Sequence, residues 1–350
     1  MMSIQSICNC ILNETSAPDE LHGAVDEFVM ICRKVSGICP DPAFQAWSGD
    51  EFLDHGVAIN PRAAAQCALD YWRTVVFIRG VYAATQSLRA RSDGTPLDIL
   101  YAGCGPFATL LLPLLGRFEP GEVNVTLLDI HQSSLDSVQL LCEHFDLRDH
   151  CLRLVRGNAC SYQHPRELHL VIAETMQKAL EQEPQFAVTA NLAPQLSPGG
   201  IFIPQRIQVD LSLAASNKQQ HEPRQPQLTE QQALPRGDSA ARLATVCTLS
   251  PEHAAAQLQS AVHKANSKMP ELEATTVVIP AVDALAGLEP VLFTNIQVYG
   301  PYLLGSHESQ ITLPLVCHEL LPLRAGKRYK VIYQLGRYPK FRFERQSGSP

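Results

Sequence analysis

The residues best suited to chemistry sit just past short apolar segments. Leu97–Ala102 runs into Gly103-Cys104-Gly105-Pro106-Phe107-Ala108, a glycine-bearing turn. Glycine permits positive φ and lets a ligand approach the backbone with no Cβ in the way. Asp129 ends the next apolar segment, 24 residues past Gly105, where an acid can accept hydrogen bonds from both hydroxyls of a ribose. Gly157-Asn158-Ala159 follows the third segment, where an adenine edge would lie, although a plain turn fits there too. Three carboxylates, Glu174, Glu181 and Glu183, follow the fourth, over the expected position of such a ligand.

These segments read as strands of one sheet. Leu97–Ala102, Val123–Asp129, 152–156, Leu168–Ala173 and 200–203 have buried-strand patterns, with 107–116 and 132–145 as the intervening helices. The alternation predicts an α/β fold, a doubly wound Rossmann-like sheet over residues 95–204 that binds ligands at the carboxyl ends of its strands. Gly103-x-Gly105-x-x-Ala108 satisfies the dinucleotide fingerprint, while S-adenosylmethionine enzymes use the same turn with no pyrophosphate to cradle, so the loop alone leaves both cofactors open. Residues 1–94 read as helical, with turns near Cys39-Pro40-Asp41-Pro42 and His55-Gly56. Pro61 opens a long periodic run, 62–89, in which Ala64, Cys67, Ala68, Tyr71, Val75 and Ile78 mark one buried face. Residues 205–346 read as β-rich, with strand-like stretches at 207–213, 275–279, 292–298, 310–316 and 329–333. Between them, 217–235 carries six Gln and three Pro, the texture of a solvated linker or arm.

Composition narrows the function classes. A chain of 350 residues has room for two domains, and 45% hydrophobic with 18% charged content is enough to bury a core, which excludes bulk disorder. Lys+Arg 28 against Asp+Glu 35 gives −7, so no basic field exists for nucleic acid or an anionic membrane surface. No apolar stretch approaches the roughly 18–20 residues that cross a bilayer. Residues 1–20 lack the basic start and apolar run of a signal peptide, so a cytoplasmic protein is expected. The 11 cysteines are scattered and form no C-x-x-C pair, the pattern of reduced, packed thiols, and no metal is expected.

Glu174, Met176 and Glu183 resemble the double-glutamate loop of the protein arginine N-methyltransferase family, with one Glu right after the strand, Met two residues on and a second Glu nine residues on. Asp70-Tyr71-Trp72-Arg73-Thr74 is similar to that family's D-x-x-R-T helix, and Gln195-Leu196-Ser197-Pro198-Gly199-Gly200-Ile201-Phe202-Ile203-Pro204 to its passage into a β-barrel. The resemblance covers about residues 60–213. It implies S-adenosylmethionine as cofactor, with Arg73 on its carboxylate and Gly103, Gly105, Asp129, Asn158 and Ala159 around the rest. It implies Glu174 and Glu183 as a clamp on a guanidinium, with Met176 as an apolar wall. It also implies a β-barrel-like substrate domain over 205–346, with an inserted arm near 214–268 that makes a homodimer.

The sequence also departs from that family. Tyr101 replaces the acid usual at the end of the first strand, Phe107 the third glycine and Thr175 a Trp, and no Thr-His-Trp motif occurs around residues 307–312. These changes surround the substrate mouth, so the expected substrate is L-arginine or a small arginine-like guanidine. Certain bacterial enzymes of this resemblance methylate free arginine on the way to N-nitroso natural products. A protein arginine substrate, another natural-product nucleophile, a silent scaffold and a nicotinamide oxidoreductase stay as alternatives. His131, His307 and His318 lack a paired group that would make them bases and read as structural, with His307 also a candidate substrate-side contact.

The clamp has a physical reason. A guanidinium stays cationic in water, with its nitrogen lone pairs delocalised. Two carboxylates hold it through charge-assisted bidentate hydrogen bonds, draw positive charge onto the nitrogens that do not react, and leave the third free. A lysine ammonium does not fill such a fork.

Overall fold

The structure, a computed structural model, describes residues 2–41, 49–147, 151–215, 241–261, 269–280, 285 and 287–346. Two helices come first, α1 (Ile4–Leu12) and α2 (Pro18–Ser36). The expected all-helical start is then interrupted by a hairpin of β1 (Glu51–Leu53) and β2 (Gly56–Ala58). Its tip is the His55-Gly56 turn, and its strands are too short for periodicity to reveal.

The single helical run expected over 62–89 is two helices, α3 (Pro61–Cys67) and α4 (Tyr71–Arg89). Asn60 caps α3, its side chain accepting the Arg62 and Ala63 amides at 3.1 Å. The chain leaves the helical path at 68–70 because Asp70 starts a new helix, its carboxylate facing the Arg73 amide. The expected one-sided face is also wrong for α4, which is buried nearly all round from Arg73 to Val81. Its Arg79 guanidinium donates to the Ile11 and Asn13 carbonyls at 2.7 and 2.9 Å, which satisfies a buried charge and ties α1 to α4.

The central sheet is parallel, with β3 (Leu97–Ala102), β4 (Val123–Asp129), β5 (Cys151–Arg156), β6 (Leu168–Ala173) and β7 (Leu196–Ile203) in the order β5-β4-β3-β6-β7. The direction of winding reverses beside β3, the place where such sheets hold ligands. Strand alternation splits the core in two. Ile99, Tyr101, Val125, Leu127, Leu170 and Ile172 face one layer with α4 and α6 (Gln132–His144). Leu100, Ala102, Leu128, Val171 and Ala173 face the other, with Val188 and Leu192 of α7 (Gln185–Leu192).

The helix expected over 107–116 is absent except for α5 (Leu112–Leu115). Ala108 takes a left-handed φ of +42°, which no α-helix continues, so the glycine turn runs on as further turns to residue 111.

The second half is antiparallel. β8 (Arg206–Ala215), β9 (Ala241–Leu249), β11 (Leu288–Tyr299) and β12 (Tyr302–Leu304) form one sheet in the order β12-β11-β8-β9, with β13 (Leu315–Val316) also on β11. β10 (Glu271–Val278), β14 (Arg328–Gln334) and β15 (Lys340–Arg345) form another. Among the described residues no hydrogen-bonded ladder joins the two sheets, although β9 of one packs beside β10 of the other, so the ladders alone do not close the expected barrel. Of the expected arm near 214–268, residues 216–240 and 262–268 lie outside the described set, so the Gln- and Pro-rich stretch at 217–235 does too. The described part supplies β9 and α8 (Pro251–Gln259), which packs on α7. The strand expected over 310–316 is a 3₁₀ turn, Gln310–Thr312, followed by the two residues of β13. Ser309 caps that turn by accepting the Ile311 amide, and Pro314 has no N–H for a ladder.

No described helix is long and apolar enough to cross a membrane. Cys8, Cys32, Cys104 and Cys142 are buried free thiols that pack in the core.

Candidate active site

A cavity of about 630 Å³ opens at the carboxyl ends of β3, β4, β5 and β6, within the usual size of a small-molecule site. Its floor is the glycine turn. The Gly103 and Cys104 amides donate to the Leu128 carbonyl at 2.8 and 3.2 Å, which pins the turn onto β4. Gly103 has φ +67°, and a Cβ there would lie 2.6 Å from Thr175 Cγ2. Backbone thus meets the cavity at a point where only glycine fits. Asp129 accepts the Gly105 amide on Oδ2 and the His131 amide on Oδ1, both at 2.9 Å. Burial raises its pKa despite those two amides. Asn158 and Ala159 line the wall past β5, with Asn158 Oδ1 accepting the Cys160 amide at 2.9 Å.

Arg73, on the first turn of α4, enters from the opposite wall. Its Nη1 donates to the Cys67 carbonyl at 2.8 Å and its Nη2 pairs with Glu174 Oε2, while its Nε is buried with no partner. At the break between α3 and α4 that carbonyl also accepts the Asp70 amide at 3.1 Å, so it serves both the turn and the guanidinium. Glu174 leaves the end of β6, 8% exposed, and Glu183 is 7% exposed on the same cavity. Burial pushes the Glu183 carboxyl up to about 7, with Gln177 and Arg73 pulling the other way and Asp50 adding to the rise. Met176 is buried between them in sequence and also lines the cavity.

The loop that presents these acids is strained. Ala179, Leu180 and Gln182 have φ of +55°, +57° and +66°, each costly for a residue with a Cβ. Tertiary contacts hold them there. Thr294 Oγ1 accepts the Ala179 amide at 3.0 Å, Tyr333 donates its hydroxyl to the Leu180 carbonyl at 2.6 Å, and the Gln182 amide donates to the Pro339 carbonyl at 2.8 Å.

All nine residues singled out in the sequence, Arg73, Gly103, Gly105, Asp129, Asn158, Ala159, Glu174, Met176 and Glu183, stand on this one cavity. His131 joins them on the wall, and its Nε2 bonds the Ile59 carbonyl at 3.0 Å. His307 is buried against Phe293 and is not on the wall, and neither is His318.

Several residues escaped sequence reasoning. Gln185 Oε1 accepts both the Thr175 amide (2.8 Å) and its hydroxyl (3.1 Å), and its Nε2 donates to the Ala173 carbonyl at 3.0 Å, bracing the start of the glutamate loop. The β1–β2 hairpin covers the other end of that loop, with the Val57 amide on the Gln182 carbonyl at 2.8 Å. Gly56 packs so tightly that a Cβ would lie 2.6 Å from Pro184 N. Glu308 supplies a further acid on the wall. Only its place beside His307, in the loop where the substrate was expected, hinted at it.

No family model matches the chain, and no curated protein matches its sequence. Among solved structures, it is similar to the Trypanosoma brucei PRMT1 enzyme–prozyme heterotetrameric complex with AdoHcy, with TM-score 0.47 and 14% identity over 81% of this chain and 93% of that one. It is also similar to Arabidopsis thaliana protein arginine methyltransferase 10, with TM-score 0.46 and 10% identity over 78% and 87%. At these identities the likeness is one of fold alone.

Proposed function

We propose that this chain is an S-adenosylmethionine-dependent N-methyltransferase acting on a guanidinium, with L-arginine or a small arginine-like molecule as substrate. The observation that carries the reading is the meeting of Glu174 and Glu183, buried, on the cavity floored by the Gly103 turn. The residues fit the cofactor: the Gly103 turn allows close approach, Asp129 is an acceptor pair at the ribose position, and Arg73 keeps a buried Nε–H without a partner. Bound there, S-adenosylmethionine would supply an electrophilic methyl group on a sulfonium. Glu174 and Glu183 would accept the N–H groups of the guanidinium, localise its charge and hold its remaining nitrogen in line, at the roughly 3–3.5 Å that displacement requires. Met176 would bound the space beside that nitrogen. The hairpin and the 308–311 loop would keep water out, so the charged contacts act in a low dielectric.

The dinucleotide reading of the glycine turn is less well supported. A pyrophosphate is held by the N-terminus of the helix that opens on the turn, and here the first helical residue is Leu112. A peptide arginine would fit the same pair of acids, so substrate size is the finer question. Transfer of an isotope-labelled methyl group to arginine, related guanidines and histone-like peptides tests both levels. Label in free arginine or a small guanidine is the expected result. Label in peptides alone overturns the small substrate, and label in none overturns methyl transfer to a guanidinium. A homodimer is proposed on the resemblance alone, and sedimentation showing only monomer at micromolar concentration would remove it.

A further inference from the structure

We infer that Glu308 reads a second cationic group on the substrate, a primary ammonium, so that the cavity selects a small molecule carrying both a guanidinium and an amine. The inference rests on the guanidinium reading above and adds the other half of the substrate.

The acids on the cavity wall differ in what neutralises them. Asp41 lies 3.5 Å from the Arg62 guanidinium, Asp129 accepts two backbone amides, and Glu174 pairs with Arg73. Asp70 is spent on the fold, accepting the Ser309 hydroxyl and the Gln310 amide at 2.7 Å each. Glu183 and Glu308 form no ion pair among the described residues. A cavity with two half- or fully buried acids left over favours a ligand with two positive charges, because unpaired buried charge is costly and an incoming cation removes that cost. Peptide-bound arginine brings only its guanidinium. A free amine on the same small molecule brings the second charge.

The carboxylate of Glu308 is also built into place. Its Oε2 accepts the Gly305 amide at 2.6 Å, while its Oε1 has no hydrogen-bond partner among the described residues. Its neighbour His307 has φ +71°, packs its ring 5.9 Å from Phe293 and donates its amide to the Thr312 carbonyl at 3.1 Å. That left-handed residue turns the chain so that His307 faces the core and Glu308 the cavity. Asp70 then ties the loop to the start of α4, the helix that carries Arg73. The Glu308 carboxylate is thus fixed relative to the clamp through one rigid connection, as a specificity-determining group must be.

The test is calorimetry on the full chain saturated with S-adenosylhomocysteine, at about pH 8 where carboxylates are ionised. The probes are agmatine, a guanidine with a distal ammonium, and butylguanidine, which lacks the ammonium. The expected result is agmatine binding about ten-fold or more tightly than butylguanidine, with Glu308→Gln equalising the two and leaving butylguanidine and S-adenosylhomocysteine unchanged. Equal affinities in the unmodified protein overturn the inference whatever the variant does. A preference that survives Glu308→Gln overturns it too, and so does weakened S-adenosylhomocysteine binding, which would put Glu308 on the cofactor. These affinities need no turnover. Failure of the methyl-transfer screen with the agmatine preference intact would therefore count against the reaction and not against Glu308.

Discussion

Glu181 and Glu183, two residues apart, face opposite sides of one loop, because the Glu183 amide donates back to the Glu181 carbonyl at 2.7 Å across a left-handed Gln182. This is a tight γ-turn, a strained conformation that is rare away from functional sites. Glu183 lines the cavity, whereas Glu181 looks toward Lys340, Lys178 and Glu319. Sequence spacing left the two acids open to confusion, and the turn separates them.

Glu183→Gln should lower kcat/KM for the guanidine substrate by about 10–150-fold, the loss of one charge-assisted contact worth about 1.5–3 kcal/mol. Glu181→Gln should leave it within about two-fold, because this half-buried acid faces Lys340 and Lys178 and does not line the cavity. Steady-state kinetics on the two variants side by side checks this, and equal losses would contradict the opposed orientation.

The same substitution should stabilise the empty protein. The Glu183 carboxyl rises from 4.5 to about 7 on folding, so the native state binds the proton more tightly than the unfolded chain. Stability from this group is present below about pH 4.5 and is lost as pH rises toward 7, by at most about 3 kcal/mol. Thermal melts should show Glu183→Gln above the unmodified protein at pH 8 and level with it near pH 4.

Substrate binding should carry the matching signature. The clamp needs Glu183 ionised, so kcat/KM should fall as pH drops below about 7, approaching ten-fold per unit. Calorimetry in buffers of different ionisation enthalpy should detect a proton released on guanidine binding below that pH. A flat profile from pH 5.5 to 8 would show that Glu183 is already ionised.

Gln185→Leu removes the acceptor of the Thr175 amide and hydroxyl and the donor to the Ala173 carbonyl. The expected cost is about 1–3 kcal/mol of stability for buried polar groups left unpaired, and kcat should fall more than KM rises, since Gln185 holds the loop and touches no substrate. Denaturant unfolding together with a kcat and KM split checks both parts.

Gly56→Ala should destabilise by about 1–3 kcal/mol through overpacking, because its Cβ would meet the Pro184 backbone at 2.6 Å and its φ is +144°. Relief by displacement of the hairpin would uncover the Glu183 loop. Faster hydrogen exchange at the Val57 amide, which bonds the Gln182 carbonyl, is the expected readout.

The parallel sheet and its ligand-binding edge were legible from local pattern alone. Five apolar segments of strand length, a glycine turn after the first and Asp129 after the second place themselves, because strand period and turn chemistry are properties of adjacent residues. Gly103, Gly105, Asp129, Asn158, Ala159 and Glu174 fall on one cavity for the same reason, since strands of a doubly wound sheet end on one side, whereas Arg73 on α4 and Glu183 on its strained loop are brought there by tertiary packing. The turns after the glycine loop, the break between α3 and α4 and the sharing of charge among the acids were not legible. Asp70 is claimed by Ser309 and Gln310 from 239 and 240 residues away, and Gln182 turns under bonds with Pro339 and Val57. Each depends on partners distant in sequence, so only the assembled tertiary structure decides which acid faces the cavity and which cation it lacks.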